Sequence, residues 1–211
     1  AITSRQDKEI TLKNIHKFRN SDFNNFDEVI KRYLSISDER SISRMCIAAA
    51  GIISDTTVEM SNLNWKITVP SLQKTAKIDE VFIINDLQAQ GYALDFIEPN
   101  DLEELIEGSY SKGLNDTKLV CGMGTGFNVA IAYQTAFGTF VPASEYGHAR
   151  TTTANEKQKM ILKKLEENSS FVSYENILAG PGLNRLDQVL NQRKDRTPSD
   201  ILSAAQEGDL K

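Results

Sequence analysis

The stretch Val81-Phe82-Ile83-Ile84-Asn85-Asp86-Leu87 runs from four apolar residues into two polar ones and then changes style. The apolar run reads as a buried strand, and Leu87 to Leu94 as the start of the helix that follows it. Upstream, Met45 to Ala50 is a second short, nearly continuous apolar run, the pattern of a strand covered on both faces. Val69-Pro70 opens a helix between the two, because Pro is tolerated in a first helical turn. Strand, helix, strand, helix in this order predicts an α/β sheet.

Working outward, residues 9–18 read as extended, with Ile10 and Leu12 as apolar positions. Ser21 to Leu34 carries apolar Phe26, Val29, Ile30, Tyr33 and Leu34, the spacing of a helix with one buried face. Glu98 to Asp116 is acidic and holds Pro99, Asn100, Gly108, Gly113 and Asn115, which marks a crossing between two lobes, 1–98 and 99–211. Beyond it, Leu119-Val120-Cys121, a glycine turn and Asn128 to Tyr133 read as strand, turn, strand, and Thr139 to Pro142 as another short strand. Helices are expected over Asn155–Asn168, Ser173–Leu178 and Gly182–Gln192. A last one has Thr197 as N-cap, Pro198 at its first position and Gly208 as its stop.

The chain of 211 residues is 40% hydrophobic and 25% charged, within the soluble globular range and far from disordered compositions. A net charge of −5 with no basic run argues against a nucleic-acid partner. No apolar run approaches the ~18 residues of a membrane span, and no signal-peptide layout opens the chain, so a cytoplasmic location is expected. Cys46 and Cys121 sit in apolar strand-like runs and read as buried, reduced thiols. With His16 and His148 far apart, no zinc-ligand spacing is present and no metal site is expected.

Three polar interruptions carry the chemistry. Asn85-Asp86 stands at a strand's carboxyl end, where ligands of open α/β sheets bind and where a carboxylate can take a proton from a hydroxyl. The same residues are also preferred helix N-caps. Gly122-Met123-Gly124-Thr125-Gly126 can turn backbone N–H groups toward an anion, with the Thr125 hydroxyl as an extra donor. No Lys-Ser/Thr pair follows and the next residues alternate like a strand, so neither a P-loop nor a dinucleotide fingerprint fits. A plain hairpin turn using glycine for positive φ fits equally. Glu145 and His148, three apart in a Gly-containing loop, can bracket vicinal hydroxyls of a sugar or simply form a solvated pair. Glu175 follows Ser173, itself an N-cap candidate, and suits a first helical turn through the macrodipole alone.

Read together, these segments resemble the bacterial glucokinases of the hexokinase/actin-like ATPase superfamily. Ser61-Asn62-Leu63-Asn64-Trp65 is similar to the family's Asn-x-x-Trp segment, and Ile83-Ile84-Asn85-Asp86 to its catalytic strand end. Gly122 to Gly126 resembles its second phosphate loop, and Glu145-Tyr146-Gly147-His148 its Glu-Gly-Gly-His sugar loop. Ser173 to Leu183, with Glu175 and the Gly180-Pro181-Gly182 helix break, resembles the last sugar contact. The resemblance implies a two-lobed actin-like ATPase (ribonuclease H-like) α/β fold, with mixed sheets flanked by helices. It implies ATP-dependent phosphorylation of glucose at O6, with Asp86 as general base. Asn85, Glu145, His148 and Glu175 would hold the other hydroxyls, and Gly122, Gly124, Thr125 and Gly126 the phosphates of ATP with Mg²⁺. A homodimer is left open.

The departures matter too. Tyr146 replaces the first glycine of the sugar loop, and Asn128 a glycine common after the phosphate turn. The family's opening Asp-x-Gly-Gly-Thr-Asn loop and closing Gly-Gly adenosine motif are absent from residues 1–211. The reading therefore expects a partial member with an incomplete fold and little ATP-dependent turnover as an isolated chain. A sugar-binding or regulatory module without competent ATP chemistry is the competing reading. A different sugar kinase of the superfamily is disfavoured by the missing Cys-rich zinc motif.

Overall fold

The computed structural model describes residues 1–6, 9–37, 41–60, 63–107, 117–167, 169–193 and 196–208. The chain divides into two compact units, Ala1–Asp86 and Leu87–Lys211.

The first unit opens with an antiparallel hairpin, β1 (Ile2–Gln6) and β2 (Glu9–Lys13), and continues to helix α1 (Phe26–Ile36). Strand β3 (Arg44–Ala49) pairs in parallel with β7 (Glu80–Asn85), in register from Arg44↔Glu80 to Ala49↔Asn85. Between them lie an antiparallel sheet of β4 (Gly51–Ser54), β5 (Thr57–Met60) and β6 (Lys66–Thr68), and helix α2 (Val69–Ala76). Helix α1 starts later than its apolar spacing suggested. Asn25 accepts the Glu28 N–H and caps it, and Asn20–Asp22 forms a separate 3-10 turn. Pro70 occupies the first turn of α2, as expected, and Thr68, which the sequence had not marked, caps it.

The core of this unit is Ile30, Ala49, Val58, Ile67, Leu72, Ile78 and Val81, with Val58 and Leu72 fully enclosed. Asp27 of α1 accepts hydroxyl protons from Ser71 (2.8 Å) and Thr75 (2.6 Å) of α2, tying the two helices over the core. Burial is one-sided, against expectation. Met45, Ile47 and Ile83 pack on the core, whereas Cys46 is exposed and Phe82 is 54% exposed. Side chains alternate along a strand, so helices packed on one face cover only every second residue. The continuous apolar runs concealed this.

The second unit begins in helix α3 (Asp86–Ala93), whose first residue closes the first unit. An antiparallel sheet follows, β8 (Lys118–Met123), β9 (Phe127–Thr135) and β10 (Gly138–Phe140), with β9 in the middle. Helices α4 (Glu156–Glu166), α5 (Glu175–Leu178), α6 (Gly180–Asn191) and α7 (Pro198–Gln206) complete it. Helix α7 is entered through a full capping box, in which Thr197 and Asp200 satisfy each other's backbone N–H. Gly208 takes φ +83° at its end, the stop its sequence indicated. Gly180 and Gly182 lie inside the first turn of α6, so the break falls at Ala179.

Leu87, Ala130, Ala132 and Val141 form the core under α3. Gly91 lets the helix approach Val141, since a Cβ there would lie 2.8 Å from a Val141 methyl. Cys121, like Cys46, is exposed, beside Leu119 and Met123 on the open face of β8. The expectation of two buried thiols fails for the same one-sided reason. The Asn-x-x-Trp segment is described only in part, because Ser61 and Asn62 lie outside the described residues. So do Gly108, Gly113 and Asn115 of the acidic crossing. Trp65 packs its ring near Phe26, 6.4 Å between centroids.

One carboxylate ties this second sheet together. Asp95 accepts from Lys118 of β8, from Gln134 of β9 (2.8 Å) and from Thr139 of β10 (2.6 Å). The Lys118 ammonium first, then the Thr139 and Gln134 donors, hold its carboxyl down to about 2 from an ordinary 3.8. The folded value is depressed, so the stabilisation is present above the unfolded value and is lost as pH falls from about 4 to about 2. Asp95 is partly exposed, which leaves about 1 kcal/mol after solvent screening. Asp95→Asn is expected to lower the thermal midpoint by roughly 2–4 °C at neutral pH. That gap should close across the acid window in a pH series of melting curves. A gap constant with pH would show that the charge is not what stabilises the sheet.

Candidate active site

In the first unit the parallel strands β3 and β7 end side by side, with Ala49 opposite Asn85. Asp86 is the next residue and begins α3. Asn85 and Asp86 are both half-buried. The carboxylate thus stands beyond the carboxyl ends of two parallel strands, where such sheets bind ligands. It also lies in a helix first turn, where its charge complements the macrodipole.

In the second unit the glycine turn joins β8 to β9. Gly124 donates its N–H to the Gly126 carbonyl at 2.9 Å, which closes the turn. None of Gly122, Gly124 and Gly126 has a left-handed φ, so the hairpin reading based on positive φ does not account for them. Space accounts for two. A Cβ on Gly122 would meet a Leu87 methyl at 2.6 Å, and one on Gly126 would lie 2.9 Å from Oε2 of Glu175. Around Gly124 nothing lies within 4 Å of such an atom. The Thr125 hydroxyl and the N–H groups of Thr125 and Gly126 have no protein acceptor among the described residues. Three unspent donors on an open turn suit a phosphate oxygen.

Glu175 starts α5 and reaches back to this turn. Its Oε2 accepts the Phe127 N–H at 3.1 Å, at the first residue of β9. The local geometry explains its placement. Ser173 and Asn176 exchange hydrogen bonds, the Ser173 N–H to Asn176 Oδ1 at 3.0 Å and the Asn176 N–H to Ser173 Oγ at 3.3 Å. Ser173 therefore caps the turn as its sequence suggested, and Glu175 is held at a fixed height. The Gly180 N–H donates to the Gly124 carbonyl at 2.8 Å, which locks the start of α6 onto the same glycine turn.

The loop with Glu145 and His148 arrives at this place too. Tyr146–His148 forms a single 3-10 turn, and Glu145 Oε2 lies 3.9 Å from His148 Nε2. Both side chains point outward, 56% and 65% exposed respectively. Gly147, between them, is buried. A Cβ on it would overlap the Phe127 carbonyl oxygen and approach the Glu175 Cβ at 3.6 Å. Tyr146, which departs from the family pattern, stacks on Tyr174 with ring centroids 5.5 Å apart.

Phe127 is thus the hinge of the arrangement: its N–H holds Glu175 and its carbonyl backs onto Gly147. The structure brings Gly122–Gly126, Glu145, His148 and Glu175 into one cluster on the second unit. Asn85 and Asp86 stand on the first. The reading of the sequence did not anticipate the part played by the Phe127 backbone, and no side-chain pattern reports a main-chain role. Neither did it anticipate that Gly147 is packed from both sides, although a glycine between two candidate ligands was a usable sign.

The Glucokinase family model matches residues 1–210. A glucokinase from Erwinia tasmaniensis is 30% identical over 184 residues, 87% of this chain and 56% of that protein. One from Saccharophagus degradans is 26% identical over 213 residues, 98% of this chain and 65% of the relative. The crystal structure of a glucokinase from an Antarctic psychrotroph superposes with a TM-score of 0.82 at 27% identity, covering 99% of this chain and 66% of that one. The fold class expected from the sequence is thereby found, a mixed α/β architecture matching glucokinase. The chain spans 56% and 65% of the length of these two curated relatives. Matched by the family model along almost its whole length and by a glucokinase crystal structure over almost all its residues, the chain belongs to the glucokinase family.

Proposed function

We propose that the protein containing this chain transfers the γ-phosphoryl group of ATP to O6 of glucose, with residues 1–98 serving the small lobe and 99–211 the large one. The observation that carries the reading is the cluster about Phe127, where an open donor turn, a Glu/His loop and Glu175 share one backbone anchor. Membership of the glucokinase family supports it.

Glu145, His148 and Glu175 offer two carboxylates and an imidazole, a set suited to gripping several hydroxyls at once. Glu175 spends Oε2 on the Phe127 N–H, which orients Oε1 for a substrate hydroxyl. Asn85 orients another hydroxyl, and Asp86 accepts the proton of the 6-hydroxyl as the new O–P bond forms. Thr125 and the turn N–H groups hold a phosphate of the nucleotide. Mg²⁺ with ATP supplies charge neutralisation on the transferring phosphate; the chain's part is positioning and proton acceptance.

The test is a coupled assay for glucose 6-phosphate with ATP and Mg²⁺ on the whole protein containing this chain, run beside calorimetric glucose titration. Product formation, with glucose affinity weakened about tenfold in Glu145→Ala, is the expected result, since one lost hydroxyl contact is worth ~1–3 kcal/mol. Glucose binding without product would favour the sugar-binding module instead. Absence of both would overturn the reading.

A further inference from the structure

We infer that Asn128 is a positioning residue that clamps the loop Ser144–His148 onto β9 and so sets the glucose-holding geometry of Glu145 and His148. The inference rests on the reading that this loop grips the sugar.

Asn128 is the second residue of β9 and is half-buried. Its carboxamide works in both directions. Nδ2 donates to the Ser144 carbonyl at 2.6 Å, at the loop's entry. Oδ1 accepts the Val129 N–H at 2.8 Å and, at 3.4 Å, the Gly147 N–H near the loop's exit. The two bonded loop residues bracket Glu145, so one side chain holds the backbone before it and after it. The short bond fixes where the loop leaves the sheet, and the longer one limits its rotation about that point.

Other bonds act within the loop and beyond it, with the His148 N–H on the Glu145 carbonyl at 3.0 Å and the Tyr174 N–H on the Ala149 carbonyl at 3.0 Å, whereas the Asn128 bonds tie the residues on either side of Glu145 to β9. Glu145 and His148 are more than half exposed, so burial does not select their rotamers. Their Nε2 and Oε2 atoms lie 3.9 Å apart, and the loop backbone sets where both side chains start. The tight seat of Gly147 against Phe127 blocks movement toward the sheet. It does not oppose movement away from it, and that direction is the one the Asn128 bonds restrain. Tyr146 belongs to the same assembly, since its N–H donates to Ser144 Oγ at 3.3 Å. The two positions where this region departs from the family pattern, Asn128 and Tyr146, are thus joined through Ser144.

A clamp that shapes a ground-state binding contact acts on ground state and transition state alike, so it should appear in KM and not in kcat. Asn128→Ala is expected to raise the KM and Kd for glucose roughly threefold to tenfold. Values of kcat and KM for ATP should stay within about twofold of the parent. Amide hydrogen exchange at Gly147 and His148 should accelerate with no sugar present. Asn128→Asp separates donor from acceptor: it keeps size and an acceptor oxygen but removes the Nδ2 donor and sets a carboxylate against the Ser144 carbonyl. It should fare no better than Ala. Asn128→Gly, the residue common in the family pattern here, serves if Ala fails to fold. Unchanged loop exchange in the folded variants would overturn the clamp, even if the parent binds no glucose and the glucokinase reading itself has failed. Faster exchange with unchanged glucose KM, full rescue by Asp, or a loss confined to kcat would each overturn the positioning role.

Discussion

Replacing Asp86 by Asn is expected to cut glucose phosphorylation by about 10²-fold or more while leaving glucose binding near its parent value. The substitution keeps shape and most hydrogen-bonding capacity and removes only the ability to accept a proton. Asp86 is the residue at which the parallel β3–β7 pair gives way to α3. A base in that place needs no loop to position it, because the strand end and the helix start fix its backbone from both sides. A carboxylate in a first helical turn also carries a charge that complements the macrodipole. An Asn loses that charge but remains an acceptable residue at a helix start, so folding should be little affected. The measurements are kcat from the coupled assay, glucose affinity by calorimetry and the thermal midpoint. Parent-level turnover in the Asn variant would leave Asp86 as a helix-end residue only.

The second large effect is expected from Gly147→Ala, a single added methyl group. The site it would occupy overlaps the Phe127 carbonyl oxygen, and the obstruction is backbone, which cannot rotate aside. Gly147 does not adopt a left-handed φ, so strain in the dihedral is not the issue; the close approach is. Either the loop lifts off β9 or Phe127 shifts, and a shift of Phe127 pulls on the N–H that holds Glu175. Both responses separate Glu145, His148 and Glu175. Overpacking of this kind costs about 1–3 kcal/mol or more. Glucose affinity should fall by roughly 10-fold to 100-fold, in step with a lower thermal midpoint. The effect should exceed that of Asn128→Ala, which releases a restraint without forcing movement. Parent-like glucose affinity in Gly147→Ala would remove this loop from the sugar site.

Much of the chain was readable because its signals are local. Thr197-Pro198 announces a helix start through a hydrogen bond three residues long, and Ser173 places Glu175 in the same way. The glycine turn between two apolar strands was legible for the same reason, since a hairpin is closed by neighbours in sequence. Polar alternating strands gave weaker signs. The β4–β5–β6 sheet went unread because only Val58 and Ile67 of β5 and β6 are buried, too few to raise a pattern. The β1–β2 hairpin was half read, from Ile10 and Leu12 alone.

Tertiary structure alone decided which face of each strand is covered, and so left Cys46, Phe82 and Cys121 exposed within runs that looked buried. Residue types report that a segment is apolar, but coverage depends on which distant helix returns to it. The same holds for the reasons behind the glycines. Gly126 and Gly147 are small because Glu175 and Phe127 come close to them, and Glu175 lies 48 residues from the Phe127 N–H it accepts. Asp95 and Asn128 acquired their roles likewise, from partners in other strands and loops. Capping, turn chemistry and helical periodicity are satisfied within a few residues and can be read from order. Close approach and one-sided burial are properties of packing, and arise only when chain segments far apart in sequence compete for the same space.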